Sequence, residues 1–197
     1  FANSVQGYAH KKTNLINQDS FHYHLDIDNN IFVAILSDGA GSAVNSKIGS
    51  SFCCLNIGQE IKKLGLDLCK KRYIDNEVEQ GIKDIIKNHL DSFNAFDAPI
   101  KTFHHTLSAV LITPFGGLIV RVGDSPIVVV THHDFHQNQG FSAELLAKNT
   151  VFDEDKLHGY ANQTTFLTSP KWESSIEIDR LPENAIAIFL MSDGAGS

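Results

Sequence analysis

The chain has 197 residues, 42% of them hydrophobic and 20% charged, with a formal net charge of −7 and a pI near 5.7. That length suits one domain with a substantial core, and no apolar run reaches the ~18 residues that span a bilayer. The acidic balance, with no dense Lys/Arg patch, argues against nucleic acid as a partner, because phosphate-backbone binding needs clustered positive charge.

The first ten residues, "FANSVQGYAH", hold no basic region followed by a long apolar one, so no signal peptide is expected there. Within that stretch "SVQGYAH" reads as a short extended piece, followed by the polar "KKTNLINQDS". "FHYHLDI" alternates apolar and polar residues, the period of a half-buried strand. "DNN" turns the chain into "IFVAILS", whose continuous apolar run predicts a strand covered on both faces.

Two amphipathic helices follow. One runs from about Asn45 to Leu66 with Ile48, Phe52, Leu55, Ile61 and Leu64 as its apolar face. The other runs from Asp75 to about Phe93 and presents Val78, Ile82, Ile85, Ile86, His89, Leu90 and Phe93. Both have polar faces between the apolar positions, so they should cover a sheet. Cys53 and Cys54 fall on the first helix and Cys69 just beyond it; the three are odd in number and lack C-x-x-C spacing. They read as packed, reduced thiols in a cytoplasmic protein.

The second half is strand-rich. "HTLSAVLITP" turns at Pro114 to Gly117 into "LIVRVGD", and "SPIVVVT" follows directly, the pattern of a meander of buried strands. "TTFLTSP", "SSIEIDRL" and "NAIAIFLMSD" supply three more strands. The polar, His-rich segment from His132 to about Asn162 is expected to be a mobile surface loop or flap. His104-His105 and His132-His133 form pairs with His136 close behind, which leaves a second metal site conceivable. Adjacent residues on a strand point to opposite faces, however, so surface or loop positions are the expectation for these histidines. Trp172 reads as a core or edge anchor. The whole is one domain over 1–197, an α+β sandwich with helices packed on large antiparallel sheets.

One phrase occurs twice: "SDGAGS" stands at 37–42 and again at 192–197, each time after an apolar run. Asp38 and Asp193 thereby end two strands, Asp124 ends "LIVRVGD", and Asp19 enters "FHYHLDI". A carboxylate beside a core needs water, a partner or a cation to stay ionised. Any one of these aspartates alone is a turn residue. Four at strand ends, with glycines that let backbone approach closely, have the composition of a hard-cation site.

These fragments together resemble the metal-dependent serine/threonine phosphatases of the PP2C (PPM) family, in particular its compact bacterial branch. The resemblance rests on Gly7 to His10 with Gln18-Asp19, Asp38 to Ser42, Thr106-Leu107, Gly123-Asp124-Ser125 and Ser192-Asp193-Gly194, in the family's order along nearly the whole chain. It implies a four-layer α-β-β-α sandwich with a metal cluster at one edge of two central antiparallel sheets. It implies two core Mg²⁺ or Mn²⁺ ions, with room for a third. Asp38 would bridge the core ions, with the Gly39 carbonyl facing them and Asp193 and Asp19 as further ligands. Asp124 would belong to the third ion. Asp38 and Asp193 would act in catalysis through a water activated between the metals.

The implied substrate is a phosphoprotein, with a Ser/Thr kinase as the counterpart enzyme and neither nucleic acid nor membrane as a partner. Three departures from the family pattern matter. The Arg that grips the substrate phosphate in many members has no counterpart, which leaves His10, Lys11 or Lys12 to supply positive charge, Lys as a point charge rather than a fork. Ala40 stands where some members carry a His. A final helix and strand with one more metal-binding Asp would follow Ser197, so the 197 residues are expected to stop short of them. A catalytically weak regulator that binds a kinase or phosphoprotein, and a phosphatase of small phosphoesters, are the alternatives.

Overall fold

A computed structural model describes residues 2–3, 16–73, 77–134, 139–145 and 164–192 of the chain. The extended piece expected at "SVQGYAH" lies outside them. Strands β1 (Ser20–Asp26) and β2 (Ile31–Ser37) form a hairpin, closed by Asn30 at φ 53 and by Asp26, whose carboxylate accepts from the Asn29 N–H at 3.0 Å. Two helices follow, α1 (Ser46–Lys71) and α2 (Glu77–Ser92). Strands β3 (Leu107–Thr113) and β4 (Gly116–Val122) form a second hairpin. Then come β5 (Ile127–Asp134), β6 (Gln139–Leu145), the one-turn helix α3 (Trp172–Ser175), β7 (Glu177–Arg180) and β8 (Ala185–Leu190).

The strands make two sheets, antiparallel throughout: five strands in the order β1-β2-β3-β4-β7, and three in the order β6-β5-β8. Along β2, Ile31, Val33 and Ile35 are fully buried on the side that meets α1 and α2. Phe32 and Ala34, on the other face, pack with Val110 and Ile119 against Ile127 and Val129 of the second sheet. Both faces of β2 are therefore covered, as its apolar run predicts, but the inter-sheet face less completely. The described residues form helix, sheet and sheet layers of an α+β sandwich.

Four expectations change. The buried face of α1 is only partly the expected one: Ile61 is buried and Leu64 packs on the core, but Ile48 and Leu55 are exposed at 46% and 49%. Gly49, Ser50, Cys53, Cys54, Ile57, Gly58 and Gly65 are buried beside Ile61. Small side chains let the helix axis come close to β1, β2 and β3, and that proximity outweighs the hydrophobicity of any single position. Second, "SPIVVVT" does not continue the meander. Gly123, at φ +115, and Pro126, which lacks an N–H, break the ladder, and β5 crosses into the other sheet.

Third, the His132–Asn162 segment is not all loop, because β5 reaches Asp134 and pairs with β6; its other residues lie outside the description. Fourth, "TTFLTSP" is no strand. It runs as turns that tuck Leu167 into the core, with the Leu167 N–H donating to the His105 carbonyl at 2.7 Å. Trp172, 8% exposed, is the expected anchor. Cys53 and Cys54 are buried free thiols.

Candidate metal centre

In an antiparallel ladder alternate strand ends share an edge of the sheet, and this is what gathers the candidate residues. Ser20, first in β1, pairs with Ser37, last in β2, so Asp19 and Asp38 flank the same pair. Leu107, first in β3, pairs with Val122, last in β4, which places Thr106 and Gly123 just beyond them and Asp124 next in line. Asp19, Asp38, Thr106 and Asp124 therefore come to one edge of the five-stranded sheet.

The turn after β2 is stapled to the chain entering β3. The Asp38 N–H donates to Thr106 Oγ1 at 2.9 Å, and the Thr106 N–H donates back to the Asp38 carbonyl at 2.8 Å. Gly39 bridges His105, and the Ala40 N–H donates to the His104 carbonyl at 2.9 Å. A Cβ on Gly39 would stand 2.7 Å from the Gln18 carbonyl oxygen and 3.0 Å from that of Ser46. Only glycine fits there, as the repeated Asp-Gly suggests.

Asp19 is positioned by a residue that sequence reasoning missed. Lys47, in the first turn of α1, donates to the Asp19 carbonyl at 2.7 Å and to Ser20 Oγ at 3.0 Å. Its signal was only a lone cation soon after the first "SDGAGS". Beside Asp19 opens a cavity of about 360 Å³ whose walls include Asn17, Lys47, Ser51 and Cys54.

Asp124 is fixed from two sides. Thr164 donates its hydroxyl to the Asp124 carboxylate. Arg121, 3% exposed and paired with Glu177, donates to the Gly123 carbonyl at 3.2 Å. The Thr106 and Ser125 hydroxyls share a hydrogen bond at 3.1 Å, and Thr106 Oγ1 also accepts from the Asp38 N–H. Thr164 carried no sequence signal, because it comes from a segment that is not regular structure.

Asp193, His10, Lys11 and Lys12 lie outside the described residues. The chain nevertheless leaves β8 close by: the Met191 N–H donates to the Pro126 carbonyl at 3.1 Å, two residues on from Asp124. His105 corrects the expectation of surface histidines. It is fully buried, while its neighbour His104 stacks on Phe166 at 4.8 Å and hydrogen-bonds Thr168 Oγ1 at 2.7 Å.

The donor set fits hard cations. Every candidate group at the edge is an oxygen: three carboxylates, the Gly39 carbonyl and the hydroxyls around them. Two further buried oxygens, Gln18 Oε1 and Ser46 Oγ, have no hydrogen-bond partner among the described residues, and both residues abut Gly39.

Comparison with known proteins bears on the family and the fold. The family profile of protein phosphatase 2C matches residues 6–197, and the chain belongs to that family. Among solved structures, the serine/threonine phosphatase Stp1 from Staphylococcus aureus superposes with a TM-score of 0.57 at 17% identity, covering 91% of this chain and 71% of that one. Serine-threonine phosphatase 2C from Toxoplasma gondii gives 0.56 at 13%, covering 91% and 74%. A bacterial serine phosphatase gives 0.53 at 17%, covering 91% and 73%. At these identities the likeness is one of fold. No curated protein matches the chain. No helix among the described residues is long and apolar enough to cross a membrane.

Proposed function

We propose that this chain hydrolyses phosphoserine and phosphothreonine in proteins with the help of two Mg²⁺ or Mn²⁺ ions. Asp38, the Gly39 carbonyl, Asp19 and Asp193 would hold the pair, and Asp124 would serve a third ion. The observation that carries this reading is the placement of Asp19 and Asp38 on either side of the Ser20–Ser37 pair. Two aspartates whose backbones stand opposite each other at one half-buried sheet edge offer oxygen ligands to a shared divalent ion. When bound, such ions lower the pKa of water and neutralise charge on phosphoryl oxygens.

The chain's own residues supply the positioning. Thr106 holds the Asp38 backbone, Lys47 holds that of Asp19, and Arg121 with Thr164 orients Asp124. Gly39 keeps the approach to Asp38 free of side chain. Substrate phosphate would meet positive charge from His10, Lys11 or Lys12. No nucleophilic side chain is required, and the buried thiols take no part. The substrate would be a phosphoprotein in the cytoplasm, phosphorylated by a Ser/Thr kinase.

The test is hydrolysis of p-nitrophenyl phosphate and of phosphoserine and phosphothreonine peptides with Mn²⁺, with Mg²⁺ and in EDTA. Activity should require the divalent ion and return when it is restored. Full activity in EDTA would remove the metal mechanism. Preference for small phosphoesters over every phosphopeptide would shift the substrate class.

A further inference from the structure

Behind the Asp38 turn the core contains a cluster that the hard-ion site does not use. Cys53 of α1, His89 of α2 and His105 at the entrance to β3 each turn one ligand atom inward, and these atoms lie within 4.8 Å of one another. The two imidazole Nε2 atoms are 3.4 Å apart, with their rings at 79°. An ion about 2.0 Å from each nitrogen would set trigonal or tetrahedral nitrogens about 3.3–3.5 Å apart, so this spacing is already that of a ligand pair.

His105 already holds the tautomer of a metal ligand. His105 Nδ1–H donates to the Phe103 carbonyl at 2.6 Å, which leaves the Nε2 lone pair facing the cluster. A backbone carbonyl on the far nitrogen is the usual support of a metal-binding histidine. His89 Nε2–H donates to the His105 Nε2 lone pair across the 3.4 Å contact, and an ion takes the place of this hydrogen bond when the proton moves to His89 Nδ1, which has no partner among the described residues. We propose that Cys53, His89 and His105 form a binding site for a single thiophilic cation, with Cu⁺ as the charge-matched ion.

The charge argument selects among soft ions. The site is walled by Phe52 and Phe93, whose ring centroids lie 5.6 and 5.0 Å from that of His89. Net charge is costly in such surroundings. Cu⁺ entering as the Cys53 thiol releases its proton to solvent leaves the charge unchanged: one thiolate, two neutral imidazoles and one monovalent cation. Zn²⁺ would leave an uncompensated positive charge in the same place. One sulfur and two nitrogens are also a donor set that favours soft over hard ions. All three residues are buried, so entry needs a local opening of the α2 end of the core and binding should be slow.

The inference stands apart from the phosphatase reading and is tested without an activity assay. The purified chain is titrated anaerobically with Cu⁺ against a chromophoric Cu⁺ chelator, and separately with Zn²⁺. One Cu⁺ per chain is expected, with X-ray absorption showing one sulfur and two imidazole nitrogens. Cys53→Ser should weaken binding by at least the ~10–100-fold that loss of even a supporting partner costs at metal sites. Cys54→Ser and Cys69→Ser should leave it unchanged. Absence of stoichiometric Cu⁺ binding, stronger binding of Zn²⁺, or a sulfur-free or two-sulfur copper shell would each overturn the assignment. The absorption measurement decides on the unmodified chain even if Cys53→Ser fails to fold.

Discussion

Thr106 and Asp38 hold each other through a reciprocal pair of hydrogen bonds, the Asp38 N–H to Thr106 Oγ1 at 2.9 Å and the Thr106 N–H to the Asp38 carbonyl at 2.8 Å. The same hydroxyl reaches Ser125 at 3.1 Å, beside Asp124. One side chain thus ties two of the proposed ligand-bearing turns together. Thr106→Val keeps the shape but leaves the Asp38 N–H unpaired, which should cost about 1–3 kcal/mol. Urea unfolding would register that loss, and the Mn²⁺ concentration giving half-maximal activity should rise. Thr106→Ser restores the hydroxyl and should recover most of both.

Asp38 and Asp124 differ in their proposed roles, and substitution should separate them. Asp38→Asn is expected to lower Mn²⁺-dependent turnover by roughly 10²–10³-fold, the scale of losing a principal electrostatic stabiliser. Asp124→Asn should chiefly raise the Mn²⁺ requirement, because its ion is the third. Turnover measured across a Mn²⁺ series distinguishes them, and equal collapse in both variants would contradict the division.

Gly49 tests the small-residue face of α1. In an open helix Gly→Ala stabilises by about 1 kcal/mol. Here an added Cβ would stand 2.3 Å from the Phe103 carbonyl oxygen and 2.8 Å from His105 Nδ1. The sign should reverse, with Gly49→Ala destabilising by about 1–3 kcal/mol as overpacked cores do. Thermal or urea unfolding decides the sign. Gly81→Ala in α2, whose Cβ would meet only Leu64 at 3.9 Å, is the control that should not destabilise.

Stability in EDTA should fall as pH drops below 6.5. Burial, with neighbouring His105, pushes His89 down to about 3, and burial pushes His105 down to about 4 against the opposing pull of the Phe103 carbonyl. Folded, both imidazoles stay neutral as pH falls from 6.5; unfolded, both take up protons. The unfolded state then binds more protons, so folding weakens by about 1.4 kcal/mol per pH unit for each imidazole. The loss runs from the unfolded pKa down to the folded values, where it levels off. Urea midpoints between pH 6.5 and 5 read it before the carboxylates contribute, and His89→Gln should reduce the slope by about one proton.

Much of this molecule is legible in its sequence because the relevant signals are local. The alternation in "FHYHLDI", the apolar run "IFVAILS" and the 3.6-residue spacing in Val78, Ile82, Ile86 and His89 each report a neighbourhood a few residues wide, and each element appears. The acidic strand ends at Asp19, Asp38 and Asp124 are equally local, since each Asp stands beside its own apolar or alternating run, two of them next to a glycine.

The rest depends on which surfaces meet, and no local pattern records that. The sequence could not assign β5 to the second sheet, since a strand's composition does not name its partner. It favoured Ile48 and Leu55 for the core, whereas close packing of α1 on the sheet selected Gly49, Cys53 and Gly58. Lys47 reaches Asp19 and Thr164 reaches Asp124 across separations of 28 and 40 residues. Cys53, His89 and His105 meet only because α1, α2 and the start of β3 share one core. By itself the sequence determined the elements and the chemical types at their ends; tertiary packing decided which of them became neighbours, because burial and hydrogen-bond pairing are properties of contacts, not of single segments.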